Sequence, residues 1–242
     1  MKTLKILVFA LFLLGGAYVA WSWHLSTHNA KWLWCENYEG IRTGKGEEGT
    51  FGGFRMHMCP KADSLWMVSG SSQGFAHIDS CFAFLQSHPW CRVWIVADSL
   101  DARNFDSFLY SVIGSATRHE VEPVRIVVET DRWDLMRKLT LLSVHTAYAW
   151  EAPLPSTLSE QQKDSVVTRI HRIASSGQVN TLIVGRAWYP YFHGQLKGLD
   201  VGFLVYEPTR SAFSMMLDPM SRVMLKDSQV IGMLTCSTDS GS

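Results

Sequence analysis

Lys2 and Lys5 precede an uncharged, mostly apolar run from Ile6 to Trp23. Its eighteen residues are enough to cross a bilayer core, which takes about 17–25 as a helix. Trp21 and Trp23 close the run where indoles suit the headgroup level. The pattern predicts a signal-anchor over residues 1–23, with Gly15-Gly16-Ala17 as the cut site if it is instead a cleaved signal. The flanking lysines place the N-terminus inside and the body outside, that is, a single-pass protein of the inner (cytoplasmic) membrane with its body in the periplasm. Residues 24–63 read as a linker and a lead-in that is glycine-rich from Gly40 to Gly53.

From residue 64 to 242 the texture is that of a folded domain. Leu65–Val68 is a short apolar run, Gly70–Gly74 a turn, and Phe75, Ile78, Phe82 and Leu85 recur at helical spacing. Val93–Val96 and Val124–Val128 are buried-strand patterns, each followed by an amphipathic helix, the first through Phe105, Phe108 and Val112 and the second through Trp133, Met136, Leu139 and Leu142. Pro153 and Pro155 stop the second of these. Thr157 with Glu160 forms a capping-box pattern before a helix through Val166, Val167, Ile170 and Ile173, and Thr181–Val184 is a further strand. Continuous apolar strands alternating with helices indicate parallel βαβ units. Four short runs after Gly202, separated by Glu-Pro, Asp-Pro and Lys-Asp turn signals, read as antiparallel strands. The predicted fold is α/β: a three-layer sandwich with a mostly parallel sheet, extended by antiparallel C-terminal strands and preceded by one transmembrane helix.

Composition narrows the function. The chain has 22 basic and 22 acidic side chains and is 47% hydrophobic. Zero net charge gives no basic face to exchange for counterions, so no nucleic-acid partner is expected. In an oxidising compartment the cysteines would pair, Cys81 with Cys91 and Cys35 with Cys59, leaving Cys236 over.

Candidate chemistry is sparse, and no cofactor is expected. Gly44–Gly49 fits GxGxxG but has no strand before it and two glutamates inside it, which does not suit a dinucleotide. Met56-His57-Met58-Cys59 collects soft ligands, but strand alternation sends the methionines and the His–Cys pair to opposite faces, so no metal site is expected. Gly70-Ser71-Ser72-Gln73-Gly74 is a GxSxG between a strand and a helix. It resembles the serine-nucleophile motif of the α/β-hydrolase family, over five residues. The resemblance implies Ser72 as nucleophile, with Asp131 and His193 completing a triad in that family's chain order. Asp98, Glu129 and Asp131 each follow a strand and so share the carboxyl edge, where open parallel sheets bind ligands. Both aspartates also suit helix capping.

Trp188, Tyr189, Tyr191, Phe192 and His193 lie within one six-residue aromatic stretch, which predicts an exposed binding surface. The leading expectation is therefore a membrane-anchored binding domain, a component or regulator of a bacterial-type envelope assembly with a protein partner. The alternative is a membrane-tethered serine hydrolase using Ser72.

Overall fold

The computed structural model describes residues 6, 8–9, 11–20, 33–35, 52–60, 66–69, 76–150, 152–211, 214 and 217–236. Trp21, Trp23, the Gly44–Gly49 stretch and the Gly70–Gly74 turn with Ser72 lie outside them. The strands are β1 (Leu33–Cys35), β2 (Gly53–Pro60), β3 (Trp66–Ser69), β4 (Ala76–His77), β5 (Arg92–Ala97), β6 (Ile126–Thr130), β7 (His145–Tyr148), β8 (Thr181–Gly185), β9 (Gly202–Ser211) and β10 (Val230–Cys236). The helices between them are α1 (Ile78–Ser87), α2 (Phe105–Arg118), α3 (Trp133–Leu141), α4 (Glu160–Ala174), α5 (Tyr189–Gln195) and α6 (Pro219–Lys226).

The sheet runs β1-β10-β9-β8-β7-β6-β5-β2, and β2 pairs again with β1. All of these pairings are parallel, so the sheet curls round and closes. This is a barrel of the TIM type, not a sandwich: parallel strands alternate with helices that form an outer ring. The antiparallel additions lie at the start of the domain. β3 pairs antiparallel with the end of β2, and β4 with β3, while β9 and β10 are parallel barrel strands. The run at Arg222–Leu225 is helical, because Asp218 caps α6 through the Ser221 amide and Pro219 sits at its first position.

Alternation along each strand separates two environments. The outward residues Phe54, Met56, Met58, Val93, Ile95 and Val128 pack with Phe82 of α1 and Phe105 and Phe108 of α2. On the other half, Leu182, Val184, Phe203, Val205 and Met233 pack with Ile170 of α4 and Phe192 of α5. The inward residues Trp94, Val127, Ala147, Leu204 and Leu234 fill the barrel, with Ile183 and Tyr206 packed on them.

Among the described residues no helix is long and apolar enough to cross a membrane. The expected disulfides are absent: Cys59, Cys81 and Cys91 are free thiols. Cys81 and Cys91 are buried in one core and behave as small apolar side chains, and burial pushes the Cys91 thiol up to about 12. Cys35 aligns with Phe54 across the β1–β2 ladder, five residues short of Cys59. That offset is roughly 16 Å along a strand, far beyond a disulfide's reach.

Candidate functional site

The barrel register gathers the ionisable groups at the carboxyl ends of the strands. On β2, Phe54, Met56 and Met58 point outward, which turns Arg55 and His57 inward. Arg55 lies across the barrel, its guanidinium 5.0 Å from the Trp94 ring and 5.3 Å from that of Tyr206. It grips Glu129 of β6 at two points, Nε to Oε2 at 3.1 Å and Nη2 to Oε1 at 3.0 Å. Only 11% and 9% of these two side chains is exposed, so each depends on the other to offset its lost hydration. Burial pushes the Glu129 carboxyl up, and Arg55 draws it only part of the way back.

Two residues further along β2, His57 meets Asp98 at the end of β5, Nδ1 to Oδ2 being 3.1 Å. The β2–β5 register places His57 opposite Val96, and the Asp98 amide donates to the Met58 carbonyl at 2.9 Å, which fixes the carboxylate beside the imidazole. The chain then turns through Ser99, whose φ of +59° is left-handed. With Asp98 accepting, Nδ1 carries the proton and Nε2 has the lone pair. Both side chains are about two-fifths exposed.

A cavity of about 670 Å³ opens at this end, lined by Arg55, Glu129, Asp131, Tyr148, Trp150, Arg169, Ile183 and Tyr206 among others. Arg169, on α4, is exposed and meets no carboxylate among the described residues. Beyond it, Arg186 bridges Glu207 at 2.7 Å and Asp218. Among the described residues no group of three or more His, Cys, Asp or Glu is arranged to hold a metal ion.

The structure separates the residues singled out in the sequence. Asp131 lines the cavity and does not cap α3, whose N-cap is Arg132. His193 lies on α5 and bonds Asp227 at 2.8 Å, just before β10 begins, and so at the opposite end of the barrel. Asp131 and His193 therefore do not converge, and Ser72 is outside the described residues. The aromatic stretch is not an exposed loop. It forms α5 and its N-cap Trp188, with Trp188, Tyr189 and Phe192 buried and Tyr191 and His193 at the surface. Trp188 stacks on Phe192 and donates its indole N–H to the Pro153 carbonyl at 3.0 Å. Sequence reasoning passed over Arg55 and weighed His57 only as a soft-metal ligand. The available signal was the alternation of Phe54, Met56 and Met58 around them.

No known protein family matches the sequence, and no curated protein matches it either. Solved structures do resemble it. A glycerophosphodiester phosphodiesterase from Parabacteroides distasonis matches with a TM-score of 0.57 at 15% identity, over 84% of this chain and 92% of that one. A glycerophosphodiester phosphodiesterase from Agrobacterium tumefaciens matches at 0.52 and 8% identity, over 84% and 93%. The expectations of an envelope binding domain and of a serine hydrolase give way together. The intended binding surface is core, the triad does not assemble, and the structural likenesses are to barrels named as phosphodiesterases. At such identities, what this chain shares with them is the parallel barrel fold.

Proposed function

We propose that the chain is a phosphodiesterase whose site is the carboxyl mouth of the barrel. The observation that carries this reading is His57, oriented by Asp98 two residues along β2 from Arg55 of the buried Arg55–Glu129 pair. Active sites of TIM-type barrels are built at this face, and the fold likenesses to named phosphodiesterases support the same chemistry. Arg169 supplies a cation with which a phosphate can pair, while the charge of Arg55 is taken up by Glu129. His57 Nε2 takes the proton from an attacking water as the new P–O bond forms and the P–O bond to the leaving alcohol breaks. The same proton then passes to the leaving oxygen, so the imidazole ends neutral. Asp98 holds the ring and stabilises its charged form.

Bis(4-nitrophenyl) phosphate and glycerophosphodiesters are the substrates to test. His57→Ala is expected to lower kcat by about 10²–10⁴-fold, while Arg169→Ala raises KM. A wild-type chain inert toward every phosphodiester, or a His57→Ala variant with unchanged turnover, overturns the assignment.

A further inference from the structure

Beside the cavity that holds Arg169 lies a second one of about 890 Å³. Trp150, Ile183 and Tyr206 line both, so the two are contiguous. The second is walled by Ala152, Pro153, Leu154, Ala187 and Trp188, and Leu154 is 62% exposed. Its charged members, Arg186 and Glu207, are bonded to each other, with Asp218 completing the arginine's coordination. With these charges paired, the rest of the lining offers an apolar surface for a ligand. Tyr18 donates to the Leu217 carbonyl at 3.1 Å, next to Asp218, with Arg222 4.1 Å over its ring. This ties the helical residues 11–20 through Tyr18 to the segment preceding Asp218.

A polar cavity whose lining carries the exposed guanidinium of Arg169, joined to an apolar one, is complementary to an anionic amphiphile. We infer that the substrate is a single-chain lipid phosphodiester, its phosphate in the cavity of Arg169 and its alkyl or acyl chain along Trp150, Leu154 and Trp188. The inference rests on the phosphodiesterase reading and adds the substrate class to it.

The test is a series of 4-nitrophenyl alkyl phosphates, methyl, butyl, octyl and dodecyl, assayed as monomers. In parallel, binding of alkylphosphocholines of matching chain length is followed by tryptophan fluorescence. Wild-type kcat/KM and affinity are expected to rise with chain length by up to about fourfold per methylene, the equivalent of ~0.8 kcal/mol, and to level off once the cavity is filled. Gly185 lines only the apolar cavity, and a Cβ there meets nothing within 4 Å. Gly185→Leu should therefore fill the cavity and flatten both series. Ala187→Trp, at an exposed position on the same wall, does the same without touching a strand.

Cleavage of all four esters at one rate, with chain-independent binding, overturns the lipid assignment and leaves the phosphodiesterase reading standing. Binding that tightens with chain length and is flattened by the variants, without cleavage of any ester, keeps the chain site and overturns the phosphodiesterase reading. A slope that survives both variants removes the chain from this cavity. Neither cleavage nor binding overturns both.

Discussion

Arg55 and Glu129 show how much one buried pair can decide. A guanidinium and a carboxylate in the barrel interior, each about one-tenth exposed, cannot be hydrated separately. Glu129→Ala leaves the guanidinium uncompensated and is expected to destabilise the fold by about 3–5 kcal/mol, read from urea midpoints. Replacing both residues with Met removes the stranded charge and should recover most of that loss. A double variant as unstable as the single one would show that the pair does more than neutralise itself. His57 faces a different balance: two-fifths exposed and paired with Asp98, it stays close to solvent.

At the scale of elements, helix ends decide where strands begin. The pattern Trp133, Met136, Leu139, Leu142 suggested a helix continuing to Pro153, whereas α3 ends at Leu141 and β7 follows within a few residues. The stop is a left-handed turn at Ser143, φ +61°, closed by the Val144 amide on the Leu139 carbonyl at 3.3 Å. Glycine normally marks such a turn, and serine gives no such signal. Because Ser143 is exposed and already left-handed, Ser143→Gly is expected to raise stability by roughly 0.5–1 kcal/mol, measured by thermal melts. A loss of stability would mean that the serine side chain itself holds the turn. The cap of α4 slipped in a similar way. Thr157 and Ser159 both begin a Ser/Thr-x-x-Glu/Gln pattern, but Ser159 with Gln162 forms the box, because Pro155–Thr157 is taken up by a short 3-10 turn.

For the whole molecule, the closed barrel has two unlike ends. The carboxyl end carries the candidate site. At the other end, Asp227 ties the start of β10 to α5, accepting from the Tyr189 hydroxyl, from the Gln229 amide at 3.0 Å and pairing with His193. Burial alone would raise the Asp227 carboxyl, but those hydrogen bonds outweigh it and hold the group below the ordinary aspartate range. A depressed folded-state value contributes stability above the unfolded value and loses it as pH falls through the folded one. Wild type should therefore lose stability more steeply than Asp227→Asn between about pH 5 and pH 2. Urea midpoints at neutral and acidic pH measure the gap, which should be wide at neutrality and narrow in acid. A gap independent of pH would assign the role of Asp227 to packing.

The alternation of apolar strands with amphipathic helices was written in residues such as Val93–Val96, Val124–Val128 and Ile170, and it determined an α/β chain with parallel strands. It also placed Asp98, Glu129 and Asp131 at one edge, because a strand's end is a local feature. Closure was not local. It depends on β1 meeting β2 and β10, and on β9 lying parallel to β8, pairings between segments far apart in the chain. A barrel interior near its mouth also tolerates Arg55, His57 and Glu129 where a sandwich core would demand apolar residues. For that reason β2 reads in the sequence as part of the glycine-rich lead-in and not as a core strand. Its inward face becomes intelligible only once Trp94, Glu129 and Tyr206 arrive from β5, β6 and β9 to surround it.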